Sequence, residues 1–109
     1  MENKKLFNNI LSVVNRATPA ECKIHRYTVF DNRYTNYINV VIHNFKNEWL
    51  ELRTNRDEKG YTLFVTSNRG GKLQTYVSEL EFLELKTAVL KCYERFDSAL
   101  NTFCENFYD

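Results

Sequence analysis

Apolar positions change period twice along the chain. Over residues 4 to 17, Leu6, Ile10, Val13, Val14 and Ala17 recur at the three- and four-residue steps of one helical face. Asn3 is placed to cap this helix and Thr18-Pro19 to end it, since proline disfavours helical backbone in the residue before it. From about residue 23 the period falls to two, with β-branched and aromatic residues dominating. That predicts strands at 24 to 30, 36 to 44, 48 to 54, 60 to 67 and 72 to 77. The connectors Asp31-Asn32-Arg33, Lys46-Asn47, Asn55 through Gly60 and Asn68-Arg69-Gly70-Gly71 hold turn-forming residues and are too short for crossover helices. An antiparallel meander follows.

The last segment opens on a helix signal. Ser78 with Glu81 three residues on forms a capping box, and Val77 with Phe82 a hydrophobic staple. Phe82, Leu85, Val89, Cys92, Tyr93, Phe96, Leu100, Phe103 and Phe107 then repeat at helical steps, with no Gly or Pro up to Tyr108. Some 30 helical residues reach roughly 45 Å, more than a globule of this size is wide. Either the helix breaks near Asp97-Ser98 or its end packs on a second chain. The second reading makes Phe96, Leu100, Phe103 and Phe107 a dimer seam. The expected fold is α+β and a single domain over 1-109: an N-terminal helix in 1-18, a four- or five-stranded antiparallel meander sheet in 23-77, and a long C-terminal helix in 78-108 packed on one sheet face.

Strand alternation separates two faces. Ile38, Val40 and Ile42, then Leu50 and Leu52, then Tyr61, Leu63 and Val65, then Leu73, Thr75 and Val77 share one side. The other side collects Tyr37, His43, Trp49, Arg53, Phe64, Lys72 and Tyr76, aromatic and basic groups among small polar ones. Bases stack on aromatic faces while Lys and Arg hold phosphates, so this composition suits a single-stranded nucleic-acid platform. Outward aromatics also suit packing against the N-terminal helix or a partner subunit.

The overall charge conceals a split. Fifteen Lys and Arg against 14 Asp and Glu leave +1, but residues 23 to 77 carry +4 and residues 78 to 109 carry −4. A basic sheet backed by an acidic helix fits a polyanion on the sheet. Arg56, Lys59, Arg69 and Lys72 stand at or beside hairpin tips, within reach of phosphates. With 43% hydrophobic residues and only three Gly and one Pro, the chain can bury a core and is unlike a disordered or collagenous sequence.

Apolar runs such as Val40-Val41-Ile42 fall far short of the ~20 residues of a membrane span. The basic start, Met1 to Lys5, is followed by Asn8, Asn9, Ser12, Asn15 and Arg16 rather than a secretory core, which reads as a cytoplasmic protein. Cys22, Cys92 and Cys104, an odd number, fit reduced thiols. Cys22 and His25, completed by His43 or Cys92, are a weak zinc candidate that lacks a second tight ligand pair. Two histidines with no serine elbow support no triad, and Gly70-Gly71 lacks the lysine of a phosphate loop and reads as a hairpin turn. No cofactor, metal or catalytic residue is expected.

The runs Trp49 to Asn55, Lys59 to Val65, Gly70 to Val77 and Ser78 to Phe96 resemble the ββββα unit of the purine-rich-element-binding (Pur-type) proteins and the related positive-cofactor and whirly single-strand binders. The resemblance covers about residues 36 to 96. It implies single-stranded DNA or RNA bound on the sheet, with Trp49, Arg53, Phe64, Lys72 and Tyr76 as face residues and Arg56 and Lys59 as the basic hairpin. Tyr37 and Arg69 join them from the residue pattern alone. The chain departs from the family in having one repeat, an added N-terminal helix and strand, a longer acidic tail and less positive charge. A single unit would have to homodimerise to rebuild the family's module. The sequence therefore predicts a non-enzymatic single-stranded nucleic-acid-binding homodimer. The alternative is a small viral or mobile-element inhibitor or adaptor whose aromatic face or long helix docks on a host protein.

Overall fold

The computed structural model describes the backbone of residues 2–16, 22–32, 34–44 and 46–108, and side chains within 4–16, 24–32, 34–44 and 46–96. In chain order the elements are α1 (Glu2–Arg16), β1 (Cys22–Asp31), β2 (Asn36–Asn44), β3 (Trp49–Asp57), β4 (Gly60–Ser67), β5 (Lys72–Val77) and α2 (Glu79–Tyr108). The strands form one sheet in sequence order, every neighbour antiparallel. The fold is the expected α+β meander. Two strands run longer than the alternation suggested, β1 at both ends and β3 through Asp57. Helix α1 begins at Glu2, so Asn3 lies inside it rather than at its cap.

Short polar side chains make the turns. Asn32 Oδ1 accepts the N–H groups of Tyr34 and Thr35, Asn44 Oδ1 those of Lys46 and Glu48, and Asp57 Oδ1 that of Lys59. These bonds replace ladder partners where the chain reverses. Ser78 Oγ accepts the N–H of Glu81 at 3.2 Å, and the staple residues Val77 and Phe82 are both buried, as the capping box predicts.

Both helices lie on the same side of the sheet. One core joins Phe7, Ile10 and Val14 of α1, Phe82, Leu85, Ala88, Val89 and Cys92 of α2, and the strand residues Ile38, Val40, Ile42, Leu52, Tyr61, Leu63 and Val77. The Arg95 guanidinium donates to the carbonyl of Asn15, tying the helices together. The other sheet face interleaves its aromatics with Asn39, Arg53, Thr62 and Gln74, whereas the aliphatic side gives the α1 stripe continuous apolar ground, and α1 joins α2 there. The stripe is rotated from the sequence reading: Phe7 is buried, whereas Val13 is 47% exposed.

Two irregularities shape the sheet. In β1 the register shifts between Ile24 and Arg26, so one extra residue, His25, resets the alternation. Ile24, Tyr27 and Val29 then pair with the core-facing Ile42, Val40 and Ile38, and Arg26, Thr28 and Phe30 with the outward Val41, Asn39 and Tyr37. The second lies between β2 and β3, whose pairing stops at Asn39 opposite Arg53 although β2 runs on to Asn36 and β3 to Asp57. There the Ile38 N–H donates to the fully buried Thr54 hydroxyl at 2.8 Å instead of to a backbone carbonyl. Beyond this point the β1–β2 and β3–β4 hairpins continue as separate arms.

Helix α2 is unbroken through Asp97-Ser98, and its roughly 45 Å fits the 52 Å long axis of the molecule. Phe96 is half-buried. The other members of the expected dimer seam, Leu100, Phe103 and Phe107, lie outside the residues with described side chains. Among the described residues no helix is long and apolar enough to cross a membrane.

Candidate nucleic-acid interface

With both helices on one side, no described element covers the opposite sheet face. The registers arrange its side chains in rows across the strands. His43 stands opposite Trp49; then come Arg26, Val41, Glu51, Thr66 and Lys72; then Thr28, Asn39, Arg53, Phe64 and Gln74. Phe30 and Tyr37 begin the last row, and Thr62 and Tyr76 close it. Rows repeat every two residues, about 6.8 Å. Trp49 on β3, Phe64 on β4 and Tyr76 on β5 therefore descend in a diagonal, with Arg53 on one flank and Lys72 on the other.

Several of these groups are already held in place. The Arg53 guanidinium lies over the Phe64 ring at 5.0 Å from its centroid, a cation–π contact that fixes a flat cationic surface where a base could stack. Phe30 and Tyr37 stack at 5.5 Å with ring planes 10° apart. Tyr76 is 57% exposed, and Trp49 and Phe64 are half-buried.

Trp49 is fixed through its backbone by a residue the sequence reading passed over. The Asn68 side chain accepts the Trp49 N–H at 3.1 Å and donates to the carbonyl of Asn47 at 3.0 Å, joining the β2–β3 turn to the β4–β5 turn. Asn47 itself adopts φ 62°, a left-handed conformation that asparagine tolerates. The only signal in the sequence was an asparagine in a turn, which reads as turn chemistry whatever its side chain reaches.

The positive charge of the face is smaller than its count of cations. Arg26 pairs with Glu51 at 3.5 Å across the intervening strand, over Val41, which is only 7% exposed despite facing outward. Arg53 and Lys72, flanking the diagonal, form no ion pair among the described residues. Arg69, on the β4–β5 turn at the Trp49 end, pairs with Glu48. Lys59 stands on the β3–β4 tip at the opposite end, next in sequence to Gly60, against which the Tyr76 ring lies. Arg56 shares the parity of Leu52 and Thr54 and points to the helix side, over the Tyr61 ring at 5.8 Å. The structure thus brings Tyr37, Trp49, Arg53, Phe64, Lys72 and Tyr76 onto one face, sets Lys59 and Arg69 at its two ends, and turns Arg56 away.

The zinc candidate does not assemble. His25 stacks on His43 at 4.5 Å, but Cys92 is buried in the core under the other side of the sheet, and the Cys22 side chain lies outside the described residues. Among the described residues no group of three or more His, Cys, Asp or Glu is placed to hold a metal ion. No family model, curated protein or solved structure matches the chain.

Proposed function

We propose that this chain is a non-enzymatic single-stranded nucleic-acid-binding protein that lays DNA or RNA along the diagonal from Trp49 through Phe64 to Tyr76, and that two copies associate through the C-terminal turns of α2. The observation that carries the reading is the placement of both helices on one side of the sheet, which leaves the aromatic and basic face uncovered by any described element. Stacking on Trp49, Phe64 and Tyr76 supplies sequence-tolerant affinity, and Arg53 and Lys72 supply the phosphate contacts. The resemblance to the Pur-type unit supports the same reading at the level of strand faces. Replacing both Arg53 and Lys72 by Ala tests it. The variant should bind a labelled single strand more weakly and lose about 1.4 from the slope of log K against log salt, at ~0.7 per phosphate contact. An unchanged slope would remove the face from the site.

A second reading, a protein-docking adaptor for a host protein, is favoured by one feature. Leu80, Leu83 and Leu90 on the outer side of α2 are 67%, 44% and 37% exposed, an apolar stripe at helical spacing. Loss of a protein partner, with no change in oligonucleotide binding, when Leu83 and Leu90 become Glu would favour that reading over the first.

A further inference from the structure

The gap where β2 and β3 part is a cleft of about 700 Å³, within the ~300–1,000 Å³ of small-molecule sites. Tyr37 forms one wall and Asn55 the other, with Asn36 towards its helix side and Asp57 and Glu58 at its rim. We propose that this cleft is a slot for one unpaired adenine or cytosine base, turned out of the strand that crosses the open face. The proposal rests on the platform reading and adds base selection to it.

Three observations converge on that ligand. First, Tyr37 already stacks on Phe30 of β1, and the cleft lies on its β3 side, so a flat ring entering there extends an existing stack. Second, the described charges of the lining are one guanidinium, Arg56, against two carboxylates, Asp57 and Glu58, which disfavours a phosphate and tolerates a neutral heterocycle. Third, the lining holds an unpartnered acceptor. Asn36 Oδ1 is buried with no hydrogen-bond partner among the described residues, while its Nδ2 donates to the Tyr61 hydroxyl at 3.4 Å. Asn55 adds an amide on the exposed wall. Asn and acidic side chains are the groups that recognise the amino edges of adenine and cytosine, whereas thymine and uracil offer a carbonyl at the equivalent position. Past the Ile38–Thr54 bond the facing backbones of β2 and β3 no longer pair with each other, which leaves the slot open.

The test measures anisotropy of labelled oligo(dA), oligo(dC) and oligo(dT) of equal length at low salt, with wild type, Asn55→Ala and Tyr37→Leu. Wild type should prefer oligo(dA) or oligo(dC) over oligo(dT) by at least about fivefold, the scale of one well-formed base contact. Asn55→Ala should reduce that ratio to below about twofold while leaving oligo(dT) affinity unchanged, because Asn55 is exposed and its loss removes only the readout. Tyr37→Leu should also bring that ratio below about twofold, by removing the stacking wall. Binding of all three oligomers with a preference that survives in Asn55→Ala, or with none in wild type, overturns the slot and leaves the platform standing. Failure of every oligomer to bind overturns both.

Discussion

The phenol ring of Tyr76 lies across Gly60: a Cβ at that glycine would stand 2.6 Å from the Tyr76 hydroxyl oxygen and 2.8 Å from Cε2. Gly60 also has φ +128°, a conformation L-residues rarely adopt. One glycine thus closes the β3–β4 hairpin and seats the last aromatic of the diagonal. Gly60→Ala should cost about 1–3 kcal/mol from the backbone alone, read from urea unfolding, and should displace Tyr76. A variant as stable as wild type would show that the turn relaxes without strain.

Asn68 offers a separate handle on the other end of the diagonal. Asn68→Ala removes the acceptor of the Trp49 N–H and the donor to Asn47, and should lower stability by about 1–2 kcal/mol, the net worth of two such bonds. Trp49 emission should shift to longer wavelength as the turn loosens. An emission spectrum identical to wild type would mean that Trp49 is positioned by other contacts.

Thr54 is polar, fully buried and holds the N–H of Ile38. The near-isosteric Thr54→Val leaves that N–H without its acceptor and should destabilise by about 1–3 kcal/mol, whereas Thr54→Ser keeps the bond. Thermal melts of the two variants separate hydrogen bonding from packing. Equal melting temperatures would assign the cost to shape alone.

Tyr27 stacks on Tyr93, ring centroids 4.4 Å apart. Burial pushes the Tyr27 phenol above the ordinary value of 10.0, and the charges of Tyr93 and Glu94 push it further the same way. Folding therefore favours the neutral phenol. Its contribution to stability is intact below pH 10 and is lost as pH rises through the raised value, because the unfolded chain ionises first. Denaturant midpoints measured across that range should fall with pH in wild type and fall less in Tyr27→Phe. Parallel curves would contradict the assignment.

How much of this was legible in the sequence depends on how local the cause is. Hairpin lengths and period-two alternation are local, so the meander and the outward set Trp49, Arg53, Phe64, Lys72 and Tyr76 could be read from β3 to β5 directly. The extra residue at His25 broke the alternation in β1, so Phe30 and Arg26 could not be given a face. The apolar stripe of α1 shows that the helix buries a side, not which layer receives it; the layer that does is the continuous aliphatic one it shares with α2. Arg56 was read as a hairpin cation because spacing places it near the tip, whereas parity with Leu52 and Thr54 carries it to the helix side. The parting of β2 and β3 had one trace, a threonine at a core position, and the clamp by Asn68 had none beyond its residue type.

The central claim is that the open face binds single strands through stacking and phosphate contacts together. Titration of wild type with a single-stranded oligonucleotide at low and at physiological salt, following Trp49 fluorescence, tests it most directly. The account predicts saturable quenching that weakens with salt, and a loss of roughly 1–3 kcal/mol of binding in Trp49→Ala when a labelled strand is followed instead. Absence of binding at low salt, or binding with full affinity in Trp49→Ala and no change in Trp49 emission, would contradict it.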